Sequence, residues 1–545
     1  MKIKKIRQFN LYLPYIIFAI GVLLLLSYQI QNKITIIVGD GYFHFSRIYD
    51  AAQQIKTGYF NYFQTNWGFD QSGRIINAVY GPFFAYLMGL ILLICGSWFR
   101  FQIVTTFIIS MVAVSGMYHV LQKIKPNLVI NTLLALTYLF KITTWNNGPT
   151  FGAVSYAVFP YIILCAVRMI QNEDKPINWL QLALTMSVVG QIHLMSTMMG
   201  ALMLVPFAIV GFIQTKNRKS MILNLIGAVG LTLLLTANIW LAISYFKFID
   251  PLGNPIGTNM ANSTINFAEL PFLLNVFMLA QLIYVVFNFK RSKLNTTITL
   301  VALVFILMGS ALFPWNWIQT EFPVLKETFQ VPRRFFIIGF SLIVAASTIT
   351  IQNLLKAKVE CKYAICGFVL VVLLANFNYS LRVNSFYGIN SSMNKPVQKI
   401  TYSSQLGELF KYINMPAPDY LPENKKMEGS EKAKIYQLQL INHKNSFNHQ
   451  VQKDGTLKLT WQAKKDSKTQ LPIVMYRRSK LNVNQKYSYI SKNEIGMPVV
   501  RQHKGLNEAV LAYQAPSWWK VMLIIVALSW LCVIIYLVYL KCRRL

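Results

Sequence analysis

The chain has 545 residues, 54% of them hydrophobic and only 13% charged, with 36 Phe and 28 Tyr. That balance excludes an ordinary water-soluble protein and points to a multipass membrane protein. Lys and Arg number 52 against 19 Asp and Glu, for a formal charge of +33. The basic residues fall in short clusters between apolar runs rather than along one soluble unit, which argues against nucleic acid as a partner and for loops held on the cytoplasmic side.

A spanning helix needs about 20 apolar residues to cross about 30 Å of hydrocarbon. Runs of that kind occupy residues 11–30, 102–121, 151–170, 221–246, 271–289, 296–313, 335–355, 363–381 and 517–540. The basic stretch 2–7 ahead of the first run is not followed by a small-residue cleavage site, so the first run is expected to remain as an uncleaved helix. Residues 128–143 form a short run, and 179–214 is long enough for a hairpin, expected to turn near Gly190.

Lys123 and Lys125, Arg168 with Lys175, and the clusters at 216–219, 290–293, 356–362 and 541–544 are expected on the cytoplasmic side together with both termini. All of them fit only if the apolar stretch 79–97 does not cross. The expected architecture is therefore an all-α bundle of about 12 crossings, with Gly81-Pro82 opening a re-entrant or juxtamembrane helix. Outer loops then fall at 31–77, 144–150, 247–270 and 314–334.

The largest polar segment, 382–516, carries 21 Lys and Arg against 9 Asp and Glu, a net +12 suited to anionic lipid or an anionic wall polymer. Its first half contains one helical patch at 404–413. Alternation at 434–441 and 455–461, followed by apolar stretches at 470–476 and 509–513, predicts strands. Three divisions result: a bundle over 1–380 that includes the outer loop 31–77, a small β-rich extracytoplasmic domain over 381–516, and a last helix with a basic tail over 517–545. The six cysteines lie in or beside apolar runs, so neither a disulfide framework nor a CxxC metal site is indicated. P-loop, GxGxxG and HExxH motifs are absent from the sequence.

The stretch Gly39-Asp-Gly-Tyr-Phe-His-Phe-Ser-Arg47 brings an acid, an imidazole and a guanidinium within nine residues. If residues 42–55 are helical, Asp40, His44 and Arg47 share one face. Asp40 is then the candidate general base, or a ligand if a metal is bound, because a poorly solvated carboxylate gains basicity. The competing role for Asp40 is a helix cap. Arg333 and Arg334, just ahead of a spanning run, suit a lipid phosphate gripped at the interface. Asp50, Asp70, His193, Glu321 and Glu327 are secondary candidates, with Asp250 and Glu269 as further titratable groups in the outer loops.

These motifs resemble the GT-C superfamily of polytopic glycosyltransferases. They are more narrowly similar to the bacterial YfhO-like proteins and the membrane proteins described as related to 6-pyruvoyl-tetrahydropterin synthase. The resemblance rests on the acid in Gly39 to Arg47, on Tyr80-Gly-Pro82, on Val331-Pro-Arg-Arg-Phe335, and on Tyr513-Gln-Ala-Pro-Ser-Trp-Trp519 ahead of a last helix. It implies sugar transfer from a polyprenyl-phosphate donor at the outer face of a bacterial cell membrane to an envelope glycan, polymer or lipid. Asp40 and His44 would be catalytic, Arg47, Arg333 and Arg334 would meet the phosphate, and a divalent cation such as Mg or Mn is used by some members. The chain departs from the pattern at Gly41, where paired acids are common, and at Ala153 after Asn146-Asn-Gly-Pro-Thr-Phe-Gly152. Readings from other classes are a transporter or flippase for lipid-linked saccharide, disfavoured by the scarcity of acids in the spanning runs, and a non-catalytic envelope assembly factor.

Overall fold

A computed structural model describes residues 2–142, 151–357, 359–413, 417–422, 427, 429–487 and 489–543. The expected outer loop 144–150 and Asn146 lie outside the described residues, and Ala153 falls on helical backbone.

The helices are α1 (Lys2–Asn32), α2 (Gly41–Thr57), α3 (Pro82–Cys95), α4 (Trp98–Ile124), α5 (Leu128–Ile142), α6 (Phe151–Gln171), α7 (Trp179–Ile192), α8 (Leu194–Gln214) and α9 (Arg218–Leu235). They continue with α10 (Ala237–Phe248), α11 (Phe272–Phe287), α12 (Lys293–Gly309), α13 (Trp315–Glu321), α14 (Arg333–Ala357), α15 (Lys362–Ser392), α16 (Gly429–Ile435) and α17 (Trp519–Cys542). Eight helices among the described residues are long and apolar enough to cross a membrane, and five more apolar helices are shorter. The molecule is thus mostly helical, with a small β region near the C-terminus, and compatible with a multipass membrane protein.

Helix α14 is the axis of the bundle. Its apolar window is wholly buried, which follows from a sequence that is hydrophobic on every side. Two glycines let α12 approach it closely. A Cβ on Gly339 would stand 2.8 Å from the Ala302 carbonyl oxygen and 2.7 Å from Ile306, and one on Gly309 would run into the Phe336 backbone. Small residues at such crossings allow van der Waals packing where the solvent gives no hydrophobic drive.

Two expected crossings differ in detail. The run 221–246 is broken into α9 and α10 at Thr236, whose hydroxyl donates back to the Thr232 carbonyl at 2.7 Å and accepts from the Trp240 indole at 2.8 Å. The hairpin over 179–214 turns at His193 rather than near Gly190. There His193 ends α7 and caps α8, and Gly190 instead gives room for Thr236, 2.9 Å from the place of its missing Cβ. Helix α3, at 14 residues, is about 21 Å long at 1.5 Å per residue, short of the hydrocarbon thickness. It lies against α2, where a Cβ on Gly89 would come 2.7 Å from the Ala52 nitrogen.

The β region comprises β1 (Gln64–Thr65) and β2 (Arg74–Ile75) in the first loop. The strands β3 (Asn448–Val451), β4 (Leu457–Ala463), β5 (Ser467–Gln470), β6 (Ser479–Val483), β7 (Lys486–Tyr487), β8 (Ser491–Lys492), β9 (Pro498–Gln502) and β10 (Gly505–Tyr513) follow later. The late strands make an antiparallel five-stranded sheet in the order β3-β4-β10-β6-β7 and a three-stranded sheet β5-β9-β8. Leu457, Leu459 and Trp461 alternate inward along β4 and meet Val483, Val500, Ala509 and Leu511 in one core, as period-two patterning requires.

Two predicted strands are absent. Residues 434–441 continue α16 into a wider helical turn, with Tyr436, Leu440 and Ile441 buried together at helical spacing. After β5 ends at Gln470, residues 471–476 are irregular and buried on all sides. Their amides bond outward, Leu471 to Pro498, Val474 to Ser72 and Met475 to Gly496. The helical patch at 404–413 is present as short turns over Leu406–Glu408 and Leu409–Tyr412.

The first loop is clamped into this domain. Asn61 and Asn66 both donate to the Gly455 carbonyl, Tyr513 donates its amide to Gln64 at 3.1 Å, and Ile75 donates to the Tyr476 hydroxyl at 3.1 Å. Arg74 donates to the Ala417 carbonyl at 2.7 Å and to the Asp419 carbonyl. Asp250, buried, accepts from the Arg477 amide and the Tyr513 hydroxyl, each at 2.9 Å, and so fastens the domain to the end of α10.

Candidate functional site

Helix α2 begins where expected and carries a polar row at His44, Arg47, Asp50 and Gln54. Spacings of three and four place these residues on one face, and all four are buried. Polar side chains buried in a row must find partners. Arg47 donates through Nε to Asn77 at 2.9 Å, and its guanidinium stands 4.5 Å from the centroid of the Tyr80 ring. Burial lowers the Arg47 pKa to about 9, which leaves it cationic at neutral pH. Burial, then Arg47 and His193, hold the His44 imidazole well below the ordinary histidine range, so it is neutral.

Asp40 occupies the N-cap position of α2, but its carboxylate makes no capping hydrogen bond and is exposed to solvent. The cap role considered from sequence is therefore not used. The charge of Asp40 acts on the Tyr80 phenol, and so does that of Asp419. Tyr420, next to Asp419, donates its hydroxyl to that of Tyr80 at 3.1 Å. Asp40 and Asp419 also act on each other, and with burial as the larger cause the Asp419 carboxyl is raised above its usual value. Asp419 thus brings an acid from a distant segment within electrostatic reach of Asp40.

The other side is cationic. His193, between α7 and α8, bonds through Nδ1 to Ser196 Oγ at 2.8 Å and lies within electrostatic reach of both Arg47 and Arg334. Arg334 is half-buried at the start of α14 and donates to the Phe329 carbonyl at 3.2 Å, whereas Arg333 is exposed. A helix N-terminus is already electropositive, so two arginines there concentrate positive charge where an anion would be stabilised. Electrostatic interactions therefore link Asp40, through Tyr80, with Arg47, and link Arg47, His44, His193 and Arg334 with one another across α2, the α7–α8 turn and α14.

Asp50 shares the α2 row, and each of the other candidates has its own surroundings. Asp50 accepts from Gln54 at 2.7 Å and from the Trp67 amide at 2.8 Å, which ties α2 to the first loop. Burial raises its pKa to about 7 against those hydrogen bonds. Asp70 pairs with Lys444 at 2.6 Å. Glu327 accepts from Asn254 at 2.7 Å, linking the loops after α10 and α13, and Glu321 is exposed at the end of α13. Among the described residues no three His, Cys, Asp or Glu side chains gather into a set that could hold a metal.

Residues missed from sequence are Asn77, Tyr80 and Tyr420 as partners of Arg47, and Asp419. Only Tyr80 had a signal, its place in Tyr80-Gly-Pro82. Lys141 was also missed: it is buried near the end of α5, with Nζ 4.6 Å from the Tyr379 ring centroid. No protein-family model matches the chain, and a search of curated proteins gives no match.

Proposed function

We propose that the protein is a membrane glycosyltransferase that takes a sugar from a polyprenyl-phosphate donor at the outer face of a bacterial cell membrane and passes it to an envelope glycan, polymer or lipid. The supporting observation is the electrostatic linkage of an exposed carboxylate, Asp40, through Tyr80 to Arg47, and of Arg47 through His193 to Arg334 from a distant segment. Helices of the bundle cross the membrane twelve times, with both termini cytoplasmic and α3 lying against the outer loop without crossing.

In this reading the donor's isoprenoid chain stays in lipid and its phosphate is held by Arg334 and Arg47, with Arg333 at the exposed edge. Asp40 takes the proton from the acceptor hydroxyl as its oxygen bonds to the anomeric carbon. The bond from that carbon to the phosphate oxygen breaks, and the arginines stabilise the charge left on the phosphate. Neutral His44 can hydrogen-bond a sugar hydroxyl without competing for the phosphate. The chemistry assigned to these side chains does not require a cation.

The test is turnover by purified protein in lipid with a panel of polyprenyl-phosphate sugars. Asp40→Asn is expected to lower transfer by about 100-fold or more. Transfer at the wild-type rate in that variant removes Asp40 from its role. Donor binding without turnover in the wild type favours a flippase or an assembly factor.

A further inference from the structure

Apart from the row on α2, the outer surface holds an open cleft of about 1020 Å³ between the first loop, residues 404–411 and residues 444–449. That volume is at the upper end of the range for ligand sites, about 300 to 1,000 Å³. The wall combines aromatic rings and amides in equal number with charged side chains. Tyr49, Trp67, Phe410 and Phe447 line it, with amide side chains including Gln405 and Asn448.

Its charges are nearly all paired within the wall. Lys444 meets Asp70 at 2.6 Å and Lys411 meets Glu408 at 2.7 Å, leaving Lys56, which is exposed. Hydrophobic rings present flat faces to apolar C–H surfaces, while amides both donate to and accept from hydroxyl groups. A ligand that offers C–H faces, many hydroxyls and no charge answers all of these features.

We infer that this cleft binds a stretch of uncharged oligosaccharide several sugar rings long. Its position links it to the site already described. The Tyr42 hydroxyl, two residues after Asp40, contacts Asp70 at 3.5 Å, and Phe410 packs against Tyr42 and Tyr49. The bound saccharide is the acceptor, a role that rests on the transfer reading, whereas binding itself does not.

The experiment is calorimetric titration of the full-length protein in lipid nanodiscs, without donor, with chitohexaose, cellohexaose, maltoheptaose and a glycerol-phosphate oligomer. At least one uncharged saccharide is expected to bind. Gln405→Ala combined with Asn448→Ala, both at exposed positions, is expected to weaken that binding about tenfold through lost hydrogen bonds. Absence of binding by all three saccharides, binding unchanged in the double variant, or binding of the glycerol-phosphate oligomer alone overturns the inference. Asp40→Asn separates the two readings: it is expected to abolish transfer and leave saccharide affinity unchanged. Affinity without turnover in the wild type removes the transfer reading and keeps the cleft, and turnover with no effect of the double variant on acceptor KM does the opposite.

Discussion

Asp50 shows how a buried carboxyl can serve structure instead of catalysis. Its pKa is raised by burial to about 7, so the folded protein holds a proton that the unfolded chain, near 3.8, has released. The sign follows from linkage: protonation favours the folded state, and this contribution is lost as pH rises from about 4 through 7. Asp50→Asn keeps an acceptor for the Trp67 amide without the charge. Its melting temperature is expected to gain on the wild type between pH 5 and pH 8 by several degrees, measured by thermal unfolding in detergent. A constant difference across that range would show that Asp50 is ionised throughout. Arg47 carries a different expectation. Arg47→Lys keeps the charge but loses the planar group over Tyr80 and the Nε bond to Asn77, so donor KM should rise about tenfold while the fold persists. Asp40, His44 and Arg47 were readable from sequence because helical spacing alone sets their common face. Asp419, Tyr420 and Asn77 were not, since nothing local marks a residue that arrives from a distant segment.

At the scale of elements, packing decided where local pattern was ambiguous. Residues 434–441 alternate as a strand would, yet Tyr436, Leu440 and Ile441 fall at spacings of four and one, which suits a helical turn equally well; the helix prevails because α16 already runs into it. Stretch 471–476 has the composition of a strand, but Pro472 lacks an amide hydrogen and the amides of Leu471, Val474 and Met475 find partners in two different segments, at 496–498 and Ser72. The long apolar runs were more dependable, because length and hydrophobicity alone define them. Helix α14 makes a prediction of its own. Gly339→Val adds three carbons where Ala302 and Ile306 leave no room for one, and overpacking of this kind costs about 1 to 3 kcal/mol. The melting temperature should fall by several degrees, with transfer falling too if the start of α14 shifts Arg334. A similar change at Gly230, whose Cβ position is open, should be nearly silent.

Across the whole molecule, the first loop and the C-terminal domain behave as one body fixed to the bundle. Asp250 is a principal fastening, accepting from two backbone amides and the Tyr513 hydroxyl. Asp250→Ala leaves those donors unpaired, a loss of about 1.5 to 3 kcal/mol for each strong charge-assisted bond. Limited proteolysis should then cut the domain about tenfold faster while the bundle stays intact. Equal cutting rates would show that the domain is held chiefly by the core of Phe63, Tyr476 and Trp519. Sequence indicated a polar segment over 382–516, and α15 runs past residue 381 to Ser392. The depth to which loop 1 enters that segment had no sequence signal.

The clamp formed by Arg74, Gly455 and Tyr513 also bears on the order of events during synthesis. Ribosomes release the first loop early, but its partners at Ala417, Gly455 and Tyr513 emerge only after most of the bundle has been made. At 5–20 residues per second that interval is on the order of tens of seconds. Throughout it, Arg74 lacks its acceptors at Ala417 and Asp419, and Gln64 lacks the Tyr513 amide. A chain truncated before Trp519 would lose α17 and the ring contacts that Trp519 makes with Tyr62 and Phe63 of the first loop. The clamp on the first loop therefore closes only after Tyr513 has been synthesised, so the N-terminal third of the chain reaches its final packing last.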